Sequence, residues 1–372
     1  MIGVRSARLL AAVGMLVLLA ACATAPKVVS TDAAPLADRG EEGAFGAVLD
    51  LPPLLIEGTP DGWKSWTADQ LFAAGNDSYD EGDWTTAVGH YDRIIRAFPD
   101  DDGHVPAALF NGALSLEHLQ RVDEAEAWFA ALIDRHPEHA LATNAAWNLL
   151  DLREQRQAWP EVLRVLRSLR LLDLQPAEQL ELDAREAIAL AVLEPSDERL
   201  ERLEALAVDL GRAQRAGQQL GRDVQARVFW TIGEIWLGRS QAVVVEPDGS
   251  QLERQLETKS EYLLRAQDGY LRTIRALDPH WATAAVFRIG FAYETFYGDL
   301  VNAPAPKALG ERDREVYFEE VRRVLVPVRR KAEMAYERII GFSRRYAFES
   351  TWVTRAEEHL ARLRRLRLPG ES

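Results

Sequence analysis

From Thr67 onward, apolar residues recur at intervals of three and four, the spacing of one buried helix face. Gly or Pro separates the runs and marks turns between successive helices. The run pattern shows no apolar–polar alternation of the kind a half-buried strand needs. Val243-Val244-Val245, followed by Glu246-Pro247-Asp248-Gly249, is the one local departure and reads as a loop with a short extended piece. Residues 23–66 lack any apolar period and carry Pro26, Pro35, Pro52, Pro53 and Pro60 among Ala, Gly, Asp and Glu. They read as a tether, which as a flexible chain spans about 35–40 Å. Within it, Leu51 to Ile56 is apolar enough to dock on the body that follows.

A longer period overlies the helical one. The segment AVGHYDRIIRAFP (87–99) lies on AEAWFAALIDRHP (125–137) at a constant offset of 38. Ala87 falls on Ala125, Tyr91 on Phe129, Ile95 on Ile133 and Pro99 on Pro137. A helix precedes each copy, with Leu71, Ala74 and Gly75 ahead of the first and Leu109, Gly112 and Ala113 ahead of the second. Small residues suit a helix crossing, where axes approach to about 8–10 Å. Gly82 and Trp84 sit at the turn of the first unit. Pro99 and Pro137 close the second helices, because proline disfavours α geometry in the residue before it.

The copies then fade. Trp147, Leu150, Trp159, Val162 and Leu166 keep the spacing over 142–174 without the closing proline. Residues 177–217 predict two helices broken at Glu194-Pro195-Ser196, with Ser196 as N-cap. Ala266, Tyr270, Ile274 and Pro279 echo the signature in the pair 222–240 and 252–277. Ala332, Tyr336 and Ile340 echo it again within one long helix, Glu311 to Arg345, expected to bend at Pro327. A last helix, Glu349 to Leu366, caps the stack with a polar outer face.

This recurrence resembles the tetratricopeptide repeat, two antiparallel helices with small residues at their crossing. The resemblance implies an all-α, TPR-like α-solenoid of about six helix pairs plus a C-terminal capping helix. It divides the chain into clear repeats at 67–175, degenerate helical repeats at 176–300, and a kinked helix with its cap at 301–372. It also implies a groove lined by the first helices of successive repeats, taking a peptide from a partner protein. The family's groove positions fall on Asp69, Phe72, Asn76 and Tyr79, then Ala107, Phe110, Leu114 and Glu117, then Asn144, Trp147, Asp151 and Glu154. Phe72, Phe110 and Trp147 would form an aromatic ladder along that groove; aromatics at helical spacing equally fit the core between helices. Asn76 occupies a place where some members hold a clamp asparagine, but aromatic and acidic residues replace the clamp's basic partners. Binding of a C-terminal carboxylate is therefore not expected.

The cysteine count moves attention to the other end. Cys22 is the only cysteine, so no intrachain disulfide forms. It follows Arg5, Arg8 and the uncharged run Leu9–Ala21, which is too short to span about 30 Å of hydrocarbon and has the length of a signal-peptide core. Leu19-Ala20-Ala21-Cys22 resembles the lipobox of bacterial lipoproteins. That resemblance implies a signal peptide at 1–21, lipidation of Cys22, and a tether over 22–66. Ala23, where inner-membrane retention would require Asp, points to the outer membrane with the body facing the periplasm. Among lipid-anchored repeat proteins, the pattern "APAPKALGERDREVYFEEVRRVLVPVRRKAEMAYERII" followed by Trp352 is similar to a group found with adventurous-gliding motility complexes. The repeat lipoprotein of the β-barrel assembly machinery is a more distant resemblance.

Charge narrows the partners. The formal net charge of −14 argues against nucleic acid, which needs a basic face. Residues 311–372 run against that balance, with 15 Lys and Arg to 11 Asp and Glu. Arg322, Arg323, Arg329, Arg330 and Lys331 could form a basic patch there, or a salt-bridged face with Glu319, Glu320 and Glu333.

Candidate chemistry is thin. His136 and His139 flank Pro137, which prevents them from sharing the i, i+4 face of a zinc helix. Asp100-Asp101-Asp102-Gly103 lacks the alternating ligands and closing Glu of a calcium loop, and reads as the acidic start of the next helix. Phosphate-binding Gly loops and a Gly-x-Ser-x-Gly elbow are missing. A carboxylate pair in a cell-wall hydrolase cleft has no sequence spacing by which to detect it. The expectation is a non-catalytic scaffold for envelope proteins, anchored by its N-terminal lipid, without metal, cofactor or small-molecule substrate. Accessory roles in β-barrel assembly or peptidoglycan coordination, and a cell-wall hydrolase, are the alternatives.

Overall fold

A computed structural model describes residues 53–365, apart from 60–61, 173, 219, 222 and 247–250. Cys22, the signal segment and most of the expected tether lie outside the described residues. The fold class is the expected all-α solenoid type, with fourteen helices and one two-stranded sheet among the described residues. The chain divides into two compact units, one ending at Gln157 and the other beginning at Ala158.

The first unit begins with an antiparallel ribbon that the apolar pattern did not predict. Strand β1 (Leu55–Thr59) pairs with β2 (Gly62–Trp66), with Glu57 opposite Lys64. Of the expected docking segment, Leu51 and Pro52 lie outside the described residues, Leu55 is half-buried, and Leu54 and Ile56 remain 55% and 64% exposed. Glu57 instead meets Arg93 at 3.0 Å, and the Trp66 ring lies edge-on to His90 with centroids 5.7 Å apart. The Lys64 ammonium lies over that indole at 3.5 Å.

Five helices follow: α1 (Ala68–Asp80), α2 (Trp84–Ala97), α3 (Val105–His118), α4 (Val122–Arg135) and α5 (Ala140–Gln155). Thr67 and Gln70 close a capping box on α1, and Asp83 caps α2. Consecutive helices pack antiparallel around Ala87, Tyr91, Ala125 and Phe129, all fully buried. The innermost aliphatic residues of the second helices are Ile94 and Leu132, one position before the expected Ile95 and Ile133. Each such side chain removed from water contributes about 1.5–3 kcal/mol. Gly75 permits the crossing, because a Cβ there would lie 2.7 Å from the Tyr91 ring. The turn between the helices of a pair takes a left-handed residue, Gly82 after α1 and Gln120 after α3. Gly82 accepts that conformation without strain, whereas Gln120 takes it against the steric preference of an L residue.

The second unit holds α6 (Trp159–Leu169), α7 (Pro176–Leu193), α8 (Asp197–Arg215), α9 (Val224–Ala242), α10 (Leu252–Arg275) and α11 (Pro279–Val301). After these come α12 (Glu311–Val324), α13 (Val326–Tyr346) and α14 (Thr351–Arg365). Ser196 caps α8 as expected, accepting from Arg199 N–H at 3.2 Å. The two sequence echoes are real crossings. Tyr270 of α10 presses on Gly233 of α9, and Tyr336 of α13 presses on Gly290 of α11. Ala266, Tyr270, Ala332 and Tyr336 are fully buried.

The expected long helix from Glu311 is two helices. The break falls at Leu325, with Pro327 in the first turn of α13, where its missing N–H costs nothing. The two halves then part company: α13 packs along α11, whereas α12 buries no residue at all.

Candidate protein-binding face of the first unit

The first helices α1, α3 and α5 place the expected groove positions side by side, and the structure divides them into two sets. Phe72 and Phe110 are core residues, each 5% exposed. Phe72 packs 6.0 Å from the Tyr91 ring and 5.6 Å from His104, and Phe110 packs 5.7 Å from Phe129. At this register an aromatic ring falls beneath the facing second helix, where it loses more water contact than it would on an open face. The expected ladder is therefore reduced to Trp147, which is half-buried on α5. Asn76 also turns inward. Its Oδ1 accepts from Tyr91 Oη at 2.8 Å and from Asn111 Nδ2 at 3.4 Å, which leaves it serving the helix crossing and not a ligand. Asp69 stays on the rim, 2.9 Å from His104 Nε2.

The second set gathers at the C-terminal ends of these helices. Tyr79 of α1 is 5% exposed, with its ring 4.7 Å from Trp84 and 6.1 Å from His118. Trp84 and His118 stack face to face at 4.0 Å. The Tyr79 hydroxyl is buried and makes no hydrogen bond among the described residues. Glu117 of α3 is half-buried, and its Oε1 is likewise shut away from solvent without a hydrogen-bond partner. Burial, followed by the charge of Asp151 on α5, pushes the Glu117 carboxyl up to about 7. Burial also raises the Tyr79 phenol, with Glu117 and Asp80 adding to it. Asp151 is half-buried, and Asn144 lies exposed further along α5. Acceptor groups thus gather beside the stacked rings of Tyr79, Trp84 and His118, with the Tyr79 hydroxyl and Glu117 Oε1 closed off from solvent.

The basic patch does not form as one surface. Arg329 is 3% exposed and spends its Nε on Glu333 at 2.8 Å, inside the α11–α13 packing. Lys331 lies 4.9 Å from the Tyr293 ring centroid and donates to its hydroxyl at 3.4 Å. Arg323 is paired with Glu320 on the separate helix α12, where Arg322 is half-buried. Arg330 stands exposed on α13. The break at Leu325 is the physical cause, because it removes the continuous helix face on which the five cations would have aligned.

The second unit has a cleft of about 780 Å³ between α8, α9 and α10 that periodicity did not reveal. Trp236 lines it, with the guanidinium groups of Arg239 and Arg265 at 4.7 and 4.6 Å from the indole. Its acids are largely paired already: Asp197 to Arg239 at 2.7 Å, Glu261 to Arg265 at 2.6 Å and Glu204 to Arg272 at 2.7 Å. Trp236 sits at a helical apolar position of α9 and reads as core from sequence.

The residues weighed for metal chemistry have structural partners. His139 accepts from Leu141 N–H at the start of α5, and His136 lies 3.5 Å from Asp102. Asp101 closes the turn before α3 by accepting from the N–H groups of Gly103 and His104 at 3.0 and 3.1 Å. Among the described residues, no group of three or more His, Cys, Asp or Glu is placed to hold a metal.

No curated protein matches the chain. A solved TPR repeats protein from Bacteroides fragilis is similar at 11% identity, over 80% of this chain and 98% of that one, with a TM-score of 0.28. Residues 107–139, which carry nearly all of α3, the whole of α4 and the turn between them, match the tetratricopeptide repeat family.

Proposed function

We propose that the chain is a non-catalytic scaffold that binds partner proteins along the first-helix face of its first unit. The observation that carries this reading is the match of α3 and α4 to the tetratricopeptide repeat, with half-buried Trp147 and exposed Asn144 continuing the first-helix face on α5. Elsewhere on α1 and α3, the groove positions Phe72, Asn76 and Phe110 are absorbed by packing. The scaffold is held at the periplasmic side of the outer membrane by a lipid on Cys22. It serves an envelope-spanning assembly, with the motility-associated group as the nearest resemblance. Lipid, compartment and assembly rest on the sequence resemblances alone.

A photo-crosslinking residue at exposed Asn144, with the same residue at exposed Arg96 on α2 as control, tests the face. Crosslinks to envelope proteins from position 144 that Trp147→Ala removes are the expected result. Equal crosslinking from both positions, or indifference to Trp147→Ala at unchanged melting temperature, would overturn the reading.

A further inference from the structure

Arginines of the second unit commonly meet a carboxylate. On α8, Arg199 meets Glu194 at 2.6 Å, Arg202 meets Asp183 at 3.5 Å and Arg212 meets Asp209 at 2.8 Å. Helix α13 departs from this habit, with six cations against two acids. Both acids are already answered, Glu333 by Arg329 at 2.8 Å and Glu337 by Arg364 of α14. Arg330, Arg338, Arg344 and Arg345 are exposed and meet no carboxylate among the described residues. Apolar side chains stand among them: Met334, Phe342 and Tyr346 are 59%, 47% and 51% exposed. Steps of four and three residues keep Met334, Arg338, Phe342, Arg345 and Tyr346 on one side of the helix over about 18 Å. The Phe342 ring lies 4.7 Å from Tyr346 and 6.1 Å from Phe348, and the Arg345 guanidinium lies 5.7 Å from the Tyr346 ring. Ala332, Tyr336 and Ile340 hold the opposite side of α13 in the core.

We propose that this outer side of α13 rests on an anionic lipid surface, with its arginines on lipid phosphates and its aromatic rings at the headgroup level. The contact goes beyond the partner-binding face and does not depend on it, because other residues in the other unit carry it. Charge is the first argument. A row of cations with no free acid among them attracts anions, and the planar guanidinium fork fits phosphate. The side chains between the cations are the second. An anionic surface with an apolar layer beneath its charge takes both kinds: aromatic rings settle at that boundary, and arginine stems lie along it while their heads reach the phosphates. An acidic polypeptide is the weaker fit. Its carboxylates would have to match each arginine in register along the outer side of a single helix, whereas lipid headgroups rearrange laterally to meet them. Such a contact is reversible and adds to a covalent lipid without replacing it, so it is compatible with attachment through Cys22 and does not require it.

The test is co-sedimentation of the chain from Ala23 with vesicles. This form keeps every described residue and drops the apolar run Leu9–Ala21 and Cys22, so neither a signal segment nor a lipid contributes. Binding is expected to vesicles of equal parts phosphatidylglycerol and phosphatidylcholine and not to phosphatidylcholine alone, and it should weaken as salt is added. Arg338→Gln/Arg345→Gln should lower the affinity about tenfold. Phe342→Ser/Tyr346→Ser should lower it about fivefold, by removing the rings from the boundary. Arg167→Gln/Arg215→Gln makes the same charge change at two exposed arginines of α6 and α8 that meet no carboxylate among the described residues. That control should change binding less than twofold. Absent binding, equal binding to neutral and anionic vesicles, or an equal loss in the control overturns the proposal. Poly-L-glutamate binding as tightly as the anionic vesicles, with the same dependence on Arg338 and Arg345, overturns the lipid assignment in favour of an acidic polypeptide.

Discussion

Glu117 illustrates how one side chain can work against the fold that holds it. Its carboxyl is raised from 4.5 to about 7 in the folded chain, so the native state holds its proton more tightly than the unfolded state does. Its contribution is most favourable below about pH 4.5 and is lost as pH rises towards 7. Part of the side chain reaches solvent, so the full shift does not convert into stability, and about 1–2 kcal/mol is the expected scale. Glu117→Gln should therefore be more stable than wild type by that amount at pH 8 and nearly equal to it at pH 4, measured by urea denaturation. Glycine gives a second contrast at this scale. A Cβ on Gly290 would lie 2.6 Å from the Tyr336 ring, whereas one on Gly89 of α2 meets nothing within 4 Å. Gly290→Ala should cost about 1–3 kcal/mol by overpacking. Gly89→Ala should gain about 0.5–1 kcal/mol from helix propensity. Equal effects in thermal melts would contradict this account of the crossing.

At the scale of elements, the crossing is a repeated device. Gly75 with Tyr91, Gly233 with Tyr270 and Gly290 with Tyr336 place a tyrosine of the second helix on a glycine of the first. Each hydroxyl donates to a polar side chain on that first helix: Asn76 at 2.8 Å, Glu234 at 2.6 Å and Glu294 at 2.6 Å. The ring fills the space the glycine leaves, and the hydrogen bond sets the rotation of one helix against the other. Helix α12 has no such device. It buries no residue, Val316 and Val324 are 62% and 63% exposed, and its ion pair between Arg323 and Glu320 lies at the surface. A fourteen-residue helix with no fully buried residue is marginal in water. Amide hydrogen exchange should accordingly be faster throughout α12 than in the core-facing turns of α13 by orders of magnitude. Comparable protection in both would show that α12 has a partner.

For the whole molecule, the charge distribution matters more than the total. The first unit is strongly acidic, and the tail beyond Glu311 is basic on balance, but part of that basic charge is answered within its own helices. The two ends thus differ: in the acidic one Glu117 meets no cation among the described residues, and the basic one commits Arg329 and Arg364 to packing and pairing. Attachment belongs to this scale as well. Cys22→Ser should move the protein from the membrane fraction to the soluble one, as read by immunoblot of fractionated cells. Retention in the membrane fraction would remove the lipid anchor from the proposal.

Local rules make much of the architecture legible in the sequence. The 3.6-residue period, the small residues at crossings and the closing prolines act over a few residues, so they mark α1 to α4 and find the distant echoes at Tyr270 and Tyr336. The same rules misplace what is decided between segments. The ribbon at 55–66 depends on a docking surface on α2, which no pattern within the ribbon reveals. Phe72, Phe110 and Trp147 share one register by sequence, yet facing helices cover the first two and leave the third half-open. Pro327 foretold a bend, and because α13 has α11 to pack against while α12 has no comparable surface, the bend became a break at Leu325. Sequence by itself determined the helix pairs, because periodicity and turn chemistry are local. Only tertiary structure decided that Asn76 serves the core, that Arg329 is buried, and that Glu117 meets no cation among the described residues, because each of those outcomes depends on which residues from other helices arrive beside it.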